Sequence, residues 1–465
     1  MSSLTAIVLA AGHGTRMRSE TPKVLHSLAG RPLIYYPLAA AFAAGAERAI
    51  VVSSGDPAIE QALEREFPER RVLVVTQDPP RGTGDAAKIA VGRLAADSAR
   101  VLILYGDTPL VRSSDLELLI ASLDQPELPD LAVMTCEVPE PKGYGRALRD
   151  AEGRFIEIRE ERDLRTGSER AVREVNAGMY AARTQALRGA IERLTPDNAQ
   201  GEYYLTDAVR LLGPGRSLAV LGHRDALVGV NDRAQLHAAE ELMFARIRER
   251  LAISGVTVRG DARIDDTVSI GKDSLLEAGV RLRGRTRIGR GALIDVGAVL
   301  DDVDIGDGVV VRPYSVLRSS SVSASAQIGP FSHLRPGSEI GESAHIGNFV
   351  EVKNVVVARG AKANHLAYLG DGEIGENANI GAGTIFCNYD GFVKHRTVIA
   401  AGAFIGSDSQ LIAPVSIGKG AYVATGTTVT DDVPDDALAM GRIRQQNKLG
   451  YAPRLRARLA AQKKK

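Results

Sequence analysis

The apolar run over residues 6–10 breaks into Ala11-Gly12-His13-Gly14-Thr15-Arg16-Met17, and Lys23 follows seven residues after Arg16. Glycines directly after a strand let backbone N–H groups approach an anion closely, so the stretch points to phosphate recognition. It lacks the last glycine of a dinucleotide fingerprint, and no GKS or GKT follows for a P-loop. Two cations beside backbone donors instead suit a nucleoside triphosphate whose pyrophosphate is held and then released. His13 leaves the cation count of this loop dependent on pH. A second glycine-containing loop, Gln77 to Ala86, carries Gln77, Gly82 and Thr83, amide and hydroxyl groups suited to a base edge. In Tyr105-Gly106-Asp107 a lone carboxylate ends an apolar strand, which suits Mg²⁺, an ion that takes one or two protein oxygens and fills its octahedron with phosphates and water. Far along the chain, Arg335 and Lys353 form a possible phosphate clamp, and four of the eight histidines, His333, His345, His365 and His395, are candidates for a general base at neutral pH.

The elements that must position these residues differ between the two halves. From residue 1 to about 230, short apolar runs (Ala6 to Ala10, Ala49 to Ser53, Val72 to Thr76, Val101 to Tyr105) alternate with helix-like segments. That is the pattern of βαβ units on a doubly wound parallel sheet, whose ligands bind beyond the carboxyl ends of the strands. The loops at Gly12, Gln77 and Asp107 should therefore converge on one crevice. Asp232 can cap a helix through which Leu236, Ala239, Met243, Ile247 and Leu251 draw an apolar stripe. These boundaries give a domain over 1–231, a linking helix over 232–254 and a second domain over 255–465.

After residue 255 aliphatic residues recur every six positions, as in Ile264, Ile270, Leu276, Leu282, Ile288, Ile294 and Leu300. A parallel β-helix explains this period, each hexapeptide forming one side of a coil and its aliphatic stacking on the copy one coil away. Arg335 and Lys353, eighteen residues apart, then share one angular position on adjacent coils. The period slips between Val352 and Ile374, a stretch holding His365, and between Phe386 and Ile399, which holds Asp390 and His395; both slips read as loops leaving the coil. His333 and His345 precede inward aliphatics and should face outward. Glu351 is placed to orient His365.

Composition narrows the function. The 465 residues are 44% hydrophobic and 25% charged with a net charge of +1, so no nucleic-acid footprint is present apart from a solvated Lys463-Lys464-Lys465 end. No stretch approaches the ~18 apolar residues of a membrane span, and no secretory leader is evident, which predicts a cytoplasmic protein. Cys136 and Cys387 are too few for a disulfide framework and read as reduced thiols, Cys387 as a bystander rather than an acyl carrier.

Taken together, LAAG, GTRM, PK, Gln-x5-Thr-Gly, YGD, GYGR and GVN resemble the sugar-1-phosphate nucleotidylyltransferases. With the hexapeptide half, the whole chain looks closely like the bifunctional bacterial N-acetylglucosamine-1-phosphate uridylyltransferase/glucosamine-1-phosphate acetyltransferase family. The resemblance implies a Rossmann-like first domain, a left-handed β-helix and a homotrimer. It implies that Leu9, Ala10, Ala11, Gly12, Lys23, Gln77, Gly82 and Thr83 hold the uridine nucleotide, with Tyr105 and Gly106 in the same site. Gly145, Glu160 and Asn176 would hold the N-acetylglucosamine moiety, and Asp107 with Asn231 would bind Mg²⁺. The sugar phosphate, whose second pKa is about 6, is largely a dianion at neutral pH and needs no base, which leaves positioning and charge neutralisation to Arg16, Lys23 and Mg²⁺.

In the second half the resemblance selects His365 as the base and gives Arg335, Lys353, Tyr368 and Asn379 to the sugar phosphate. It gives Ala382, Asn388, Tyr389, Ser407, Thr425 and Arg442 to acetyl-CoA. The implied substrates are UTP, glucosamine-1-phosphate, N-acetylglucosamine-1-phosphate and acetyl-CoA, and the implied product is UDP-N-acetylglucosamine for peptidoglycan and lipopolysaccharide synthesis. Two other readings remain: a nucleotidylyltransferase whose β-helix is structural or regulatory, and a regulatory subunit without chemistry. His365 with Arg335 and Lys353 argues against the first, and Asp107 with Arg16 and Lys23 against the second.

Overall fold

The computed structural model describes residues 3–12, 14–227, 229–441 and 444–462; His13, Arg442 and the terminal lysines lie outside them. The chain divides into two compact units, Met1–Ile247 and Arg248–Lys465.

The first unit is built on a nine-stranded sheet whose main path runs Ser217–Leu221, Leu131–Glu137, Glu174–Arg183, Ser98–Tyr105, Ser3–Ala10, Arg48–Ser53, Arg71–Thr76, with Arg146–Arg149 and Phe155–Arg159 paired off it. Successive residues of Ser3–Ala10 point to opposite faces. Ala6 and Val8 pack with Leu38 and Ala41 of the Tyr35–Ala43 helix, while Ile7 and Leu9 pack with Ala87 and Ala90 of the Thr83–Val91 helix. Both faces of the strand are thereby buried, which is why it reads as an unbroken apolar run. Ser3–Ala10 pairs with Arg48–Ser53 on one side and Ser98–Tyr105 on the other, so the direction of winding reverses here and a crevice opens beyond the carboxyl ends of the two inner strands.

The sheet is not wholly parallel. Glu174–Arg183 runs antiparallel to both its neighbours. The chain leaves Leu131–Glu137 at its carboxyl end, forms the hairpin Arg146–Arg149/Phe155–Arg159 there, and re-enters the sheet from the same end without crossing over. That reversal has a functional consequence: Asn176, at the amino end of the returning strand, lies beside Thr135 at the carboxyl end of its neighbour.

Asp232 Oδ1 accepts from the Gln235 N–H and starts the helix Arg233–Ile253, whose Ala239, Met243, Ile247 and Leu251 are buried as the stripe predicts.

The second unit is the left-handed parallel β-helix. Short strands stack in columns, for example Ile264 on Leu282 on Leu300 on Leu317 on Leu334 on Val352. The first of the two slips is not a loop. Val352 pairs with Leu369 and Ile346 with Ala363, each 17 residues on, so Ala363 and Leu369 fill the core and the coil is merely one residue short of three hexads. His365 accordingly sits on a regular strand, Lys362–His365, with its side chain exposed. An alanine at an inward position hides from a search for large aliphatics. The second slip is a true insertion: Phe386 pairs with Leu411, 25 residues on, and residues 388–396 leave the coil. A Tyr389–Lys394 bridge closes this insertion, and His395 Nε2 lies 2.7 Å from Asp390 Oδ2. Asp390 and His395 are thus partners within the loop; together with the Val393 and Phe392 N–H groups, His395 pulls the Asp390 carboxyl down to about 2.

Candidate active sites

The crevice of the first unit is a cleft of about 360 Å³ lined by Leu9, Ala10, Ala11, Gly12, Lys23, Gln77, Gly82, Thr83, Tyr105 and Asp107, among others. A second hollow of about 280 Å³ is lined by Tyr105, Asp107, Gly145, Glu160, Asn176 and Asn231, among others. Tyr105 and Asp107 belong to both, so the two hollows meet at Asp107. Gly106 is fixed between them, its N–H donating to Leu9 O at 2.9 Å.

The cations converge on the same point. Lys23 Nζ is ion-paired with Asp107 and donates to Asn231 Oδ1 at 3.3 Å, and Arg16 Nη2 donates to the same oxygen at 3.0 Å. Gly14 makes this possible: its φ is +58°, and a Cβ there would lie 2.7 Å from Lys23 Cβ. One ammonium touches both Asp107 and Asn231, so the two oxygens face a single cation position. One carboxylate and one amide oxygen facing one position fit Mg²⁺, which takes few protein oxygens and fills its octahedron with phosphates and water. No group of three or more His, Cys, Asp or Glu suited to a metal occurs among the described residues.

Gln77 is buried, its Nε2 donating to Gly82 O at 3.1 Å and to Asp85 at 2.8 Å, which ties the loop after Arg71–Thr76 to the start of the Thr83–Val91 helix. In the second hollow Thr206 Oγ1 donates to Glu160 at 3.2 Å, and burial pushes the Glu160 carboxyl up. Asn176 Oδ1 accepts from the Gly178 N–H at 2.9 Å while its Nδ2 reaches Tyr180 Oη at 2.8 Å. Thr206, Gly178 and Tyr180 carry no sequence motif and were legible only in three dimensions. A Cβ on Gly178 would fall 2.4 Å from the Tyr105 ring.

On the β-helix, Arg335 and Lys353 follow the paired residues Leu334 and Val352 and so share one angular position on adjacent coils. Arg335 Nη1 donates to Glu351 at 2.8 Å; Glu351 therefore serves Arg335, and the residue that orients His365 is Asn348, whose Oδ1 lies 2.8 Å from Nδ1. Tyr368 and Glu351 are paired across adjacent coils, and Asn379 lies half-buried beside Lys362 of the His365 strand. Lys394, from the insertion, faces Lys353, whose positive charge holds the Lys394 ammonium below the usual lysine range. Two ammoniums held this close invite a dianion.

Ala382, Ser407 and Thr425 each stand two residues after a stacked aliphatic (Ile380, Ile405, Val423) and form one line across three coils. Tyr389 is exposed, whereas Asn388 is buried with its Nδ2 2.5 Å from Asp371. The Cys387 thiol is pushed up by burial, which disfavours the thiolate an acyl carrier needs.

An α/β half with a cation-lined crevice and a β-helix half that carries Arg335, Lys353 and an exposed His365 held by Asn348 define a class: nucleotidyltransferases that also carry a hexapeptide-repeat acyltransferase. Residues 6–174 match the MobA-like NTP transferase domain. The chain is 58% identical to the bifunctional protein GlmU of Sorangium cellulosum, over 99% of this chain and 98% of that protein. It is 44% identical to the GlmU of Trichlorobacter lovleyi (97% and 98% covered) and 43% identical to that of Geobacter sulfurreducens (98% and 100% covered). The chain belongs to the bifunctional GlmU family. It is an enzyme with two activities: it acetylates glucosamine-1-phosphate with acetyl-CoA, and it transfers UMP from UTP to N-acetylglucosamine-1-phosphate, giving UDP-N-acetylglucosamine and pyrophosphate for cell-wall synthesis.

Proposed function

We propose that the two reactions divide between the halves, uridylyl transfer in residues 1–231 and acetyl transfer in 255–465, with 232–254 as the linking helix. The observation that carries this division is a cation cluster in each half, Arg16 and Lys23 around Asp107 in the first and Arg335, Lys353 and Lys394 on the β-helix that also carries His365.

In the first site Leu9 to Gly12, Gln77, Gly82 and Thr83 bind the uridine nucleotide, with Tyr105 and Gly106 forming the floor. Gly145, Glu160 and Asn176 bind the N-acetylglucosamine moiety. A phosphate oxygen of the sugar phosphate attacks the α-phosphorus of UTP, the bond to the β-phosphate oxygen breaks, and pyrophosphate leaves. Arg16 and Lys23 neutralise the charge that collects on the leaving oxygens. Asp107 and Asn231 would hold Mg²⁺, which supplies further neutralisation when bound.

In the second site Arg335, Lys353 and Lys394 bind the phosphate of glucosamine-1-phosphate, with Tyr368 and Asn379 on the sugar. Ala382, Asn388, Tyr389, Ser407 and Thr425 line the acetyl-CoA side; Arg442 is assigned there by resemblance alone. With Asn348 accepting from Nδ1–H, the lone pair of His365 lies on Nε2. Nε2 takes a proton from the sugar amine, the nitrogen attacks the thioester carbonyl, and the C–S bond breaks to release CoA, which His365 can reprotonate.

No described helix is long and apolar enough to cross a membrane. A cytoplasmic location fits substrates drawn from the nucleotide and CoA pools. A homotrimer is supported by an exposed ladder, Tyr314 on Phe331 on Phe349 with ring centroids 5.6 and 5.4 Å apart, an apolar edge suited to subunit contact.

The phosphate assignment is tested by Lys353→Ala, which should raise the KM for glucosamine-1-phosphate roughly tenfold or more and leave the KM for UTP unchanged. An unchanged KM for the amino sugar would remove Lys353 from the site.

A further inference from the structure

Asp371 is given no role by the sequence or the resemblance, yet it is 7% exposed and sits at the centre of three polar contacts. Its Oδ1 accepts from Asn354 Nδ2 at 2.8 Å, and its Oδ2 accepts from Asn388 Nδ2 at 2.5 Å and from Lys353 Nζ at 3.4 Å. We infer that Asp371 is a positioning residue for acetyl transfer, holding Lys353 on the amino-sugar phosphate side and Asn388 on the acetyl-CoA side in one hydrogen-bonded unit. The inference rests on the roles proposed above for Lys353 and Asn388.

Asn354, Asp371 and Asn388 recur at 17-residue steps and stand one above another at a coil corner, Asn354 and Asp371 with φ of +52° and +54°. Asparagine and aspartate tolerate that left-handed conformation, so a polar corner ladder alone could be structural. Charge is what such a ladder does not need. Asn354 fills its corner with a neutral amide, and a buried carboxylate pays for desolvation unless a cation faces it. At Asp371 burial pushes the carboxyl up, but the Asn354 and Asn388 amides and the Lys353 ammonium outweigh it and hold the group below the usual carboxylate range. Lys353 in turn lies against Lys394, so before a phosphate arrives the two ammoniums need an anion nearby, and Asp371 supplies it. Only a carboxylate can accept on both oxygens at once, which an amide at this position cannot do.

The test is Asp371→Asn, which keeps side-chain size and tolerance of the corner conformation. The KM values for glucosamine-1-phosphate and for acetyl-CoA should both rise, the first by roughly tenfold, while uridylyl transfer by the same preparation is unchanged. Asn354→Ala, which empties only Oδ1 of Asp371 and leaves Oδ2 to Lys353 and Asn388, should leave both constants within about twofold. In a Lys353→Ala background Asp371→Asn should add less than about twofold to the amino-sugar KM, because the contact is already gone. A lowered melting temperature with both KM values unchanged would make Asp371 a structural corner residue and overturn the inference. So would additive effects in the double variant. If Lys353→Ala alone has no effect on the amino-sugar KM, the phosphate-clamp reading itself falls, a result distinct from additivity. Should Asp371→Asn be recovered unfolded, Asp371→Ser carries the same comparisons.

Discussion

His365 Nδ1 lies 2.8 Å from the side-chain oxygen of Asn348, the residue one coil below it. This contact does for His365 what a buried carboxylate does in other catalytic pairs: it fixes the ring and the tautomer, and it leaves Nε2 as the proton acceptor. A neutral amide adds no charge to the site. Asn348→Ala should lower kcat for acetyl transfer roughly tenfold with little change in either KM, since the ring is freed while the substrate contacts stay. CoA release followed at saturating substrates checks it. A variant with full kcat would return His365 to a self-sufficient role.

Lys394 reaches Lys353 from the inserted loop, and the Lys353 charge holds the Lys394 ammonium below the usual lysine range until an anion sits between them. Lys394→Ala should therefore raise the KM for glucosamine-1-phosphate by roughly tenfold and leave kcat nearly unchanged, the pattern of an interaction made equally in ground and transition states. Steady-state kinetics with varied amino sugar would show it. A fall in kcat at constant KM would instead place Lys394 at the reacting atoms.

Burial holds the Glu160 carboxyl above its ordinary range, so the folded enzyme keeps this proton at pH values where the unfolded chain has lost it. Stability from this group is therefore complete below the ordinary carboxyl pKa and declines as pH rises through the folded value; at pH 7 the ionised group is a cost. Glu160→Gln should raise the melting temperature at pH 7, and the gain should vanish near pH 4. The same variant should bind N-acetylglucosamine-1-phosphate more weakly. Thermal melts at the two pH values read the first part, and a variant less stable than wild type at pH 7 would contradict it.

Much of this was legible in the sequence, and the misses share causes. The crevice residues were readable because each follows a strand that is apolar on both faces, so Gly12, Gln77 and Asp107 mark strand ends. The antiparallel return of Glu174–Arg183 was not, because its residues are as apolar as those of a parallel strand, and direction leaves no mark on composition. On the β-helix the six-residue period located Arg335 and Lys353 through an 18-residue step. The coils around His365 step by 17, with Ala363 as an inward residue, and a search tied to large aliphatics at strict hexads mistook them for a loop. The same 17-residue step joins Asn348 to His365 and Asn354 to Asp371 to Asn388, so allowing it would have found the orienting residue of His365 and the buried carboxylate together. Lys394 had no periodic signal, since it lies in a true insertion.

The central claim is that two independent sites, one around Asp107 and one around His365, perform the two reactions. The most direct measurement follows both products in one preparation of each variant: CoA from acetyl-CoA and glucosamine-1-phosphate, and pyrophosphate from UTP and N-acetylglucosamine-1-phosphate. His365→Ala should lose CoA release by roughly 100-fold or more and keep pyrophosphate release, and Asp107→Ala should do the reverse. Loss of both activities in either variant, or retention of CoA release without His365, would contradict the account.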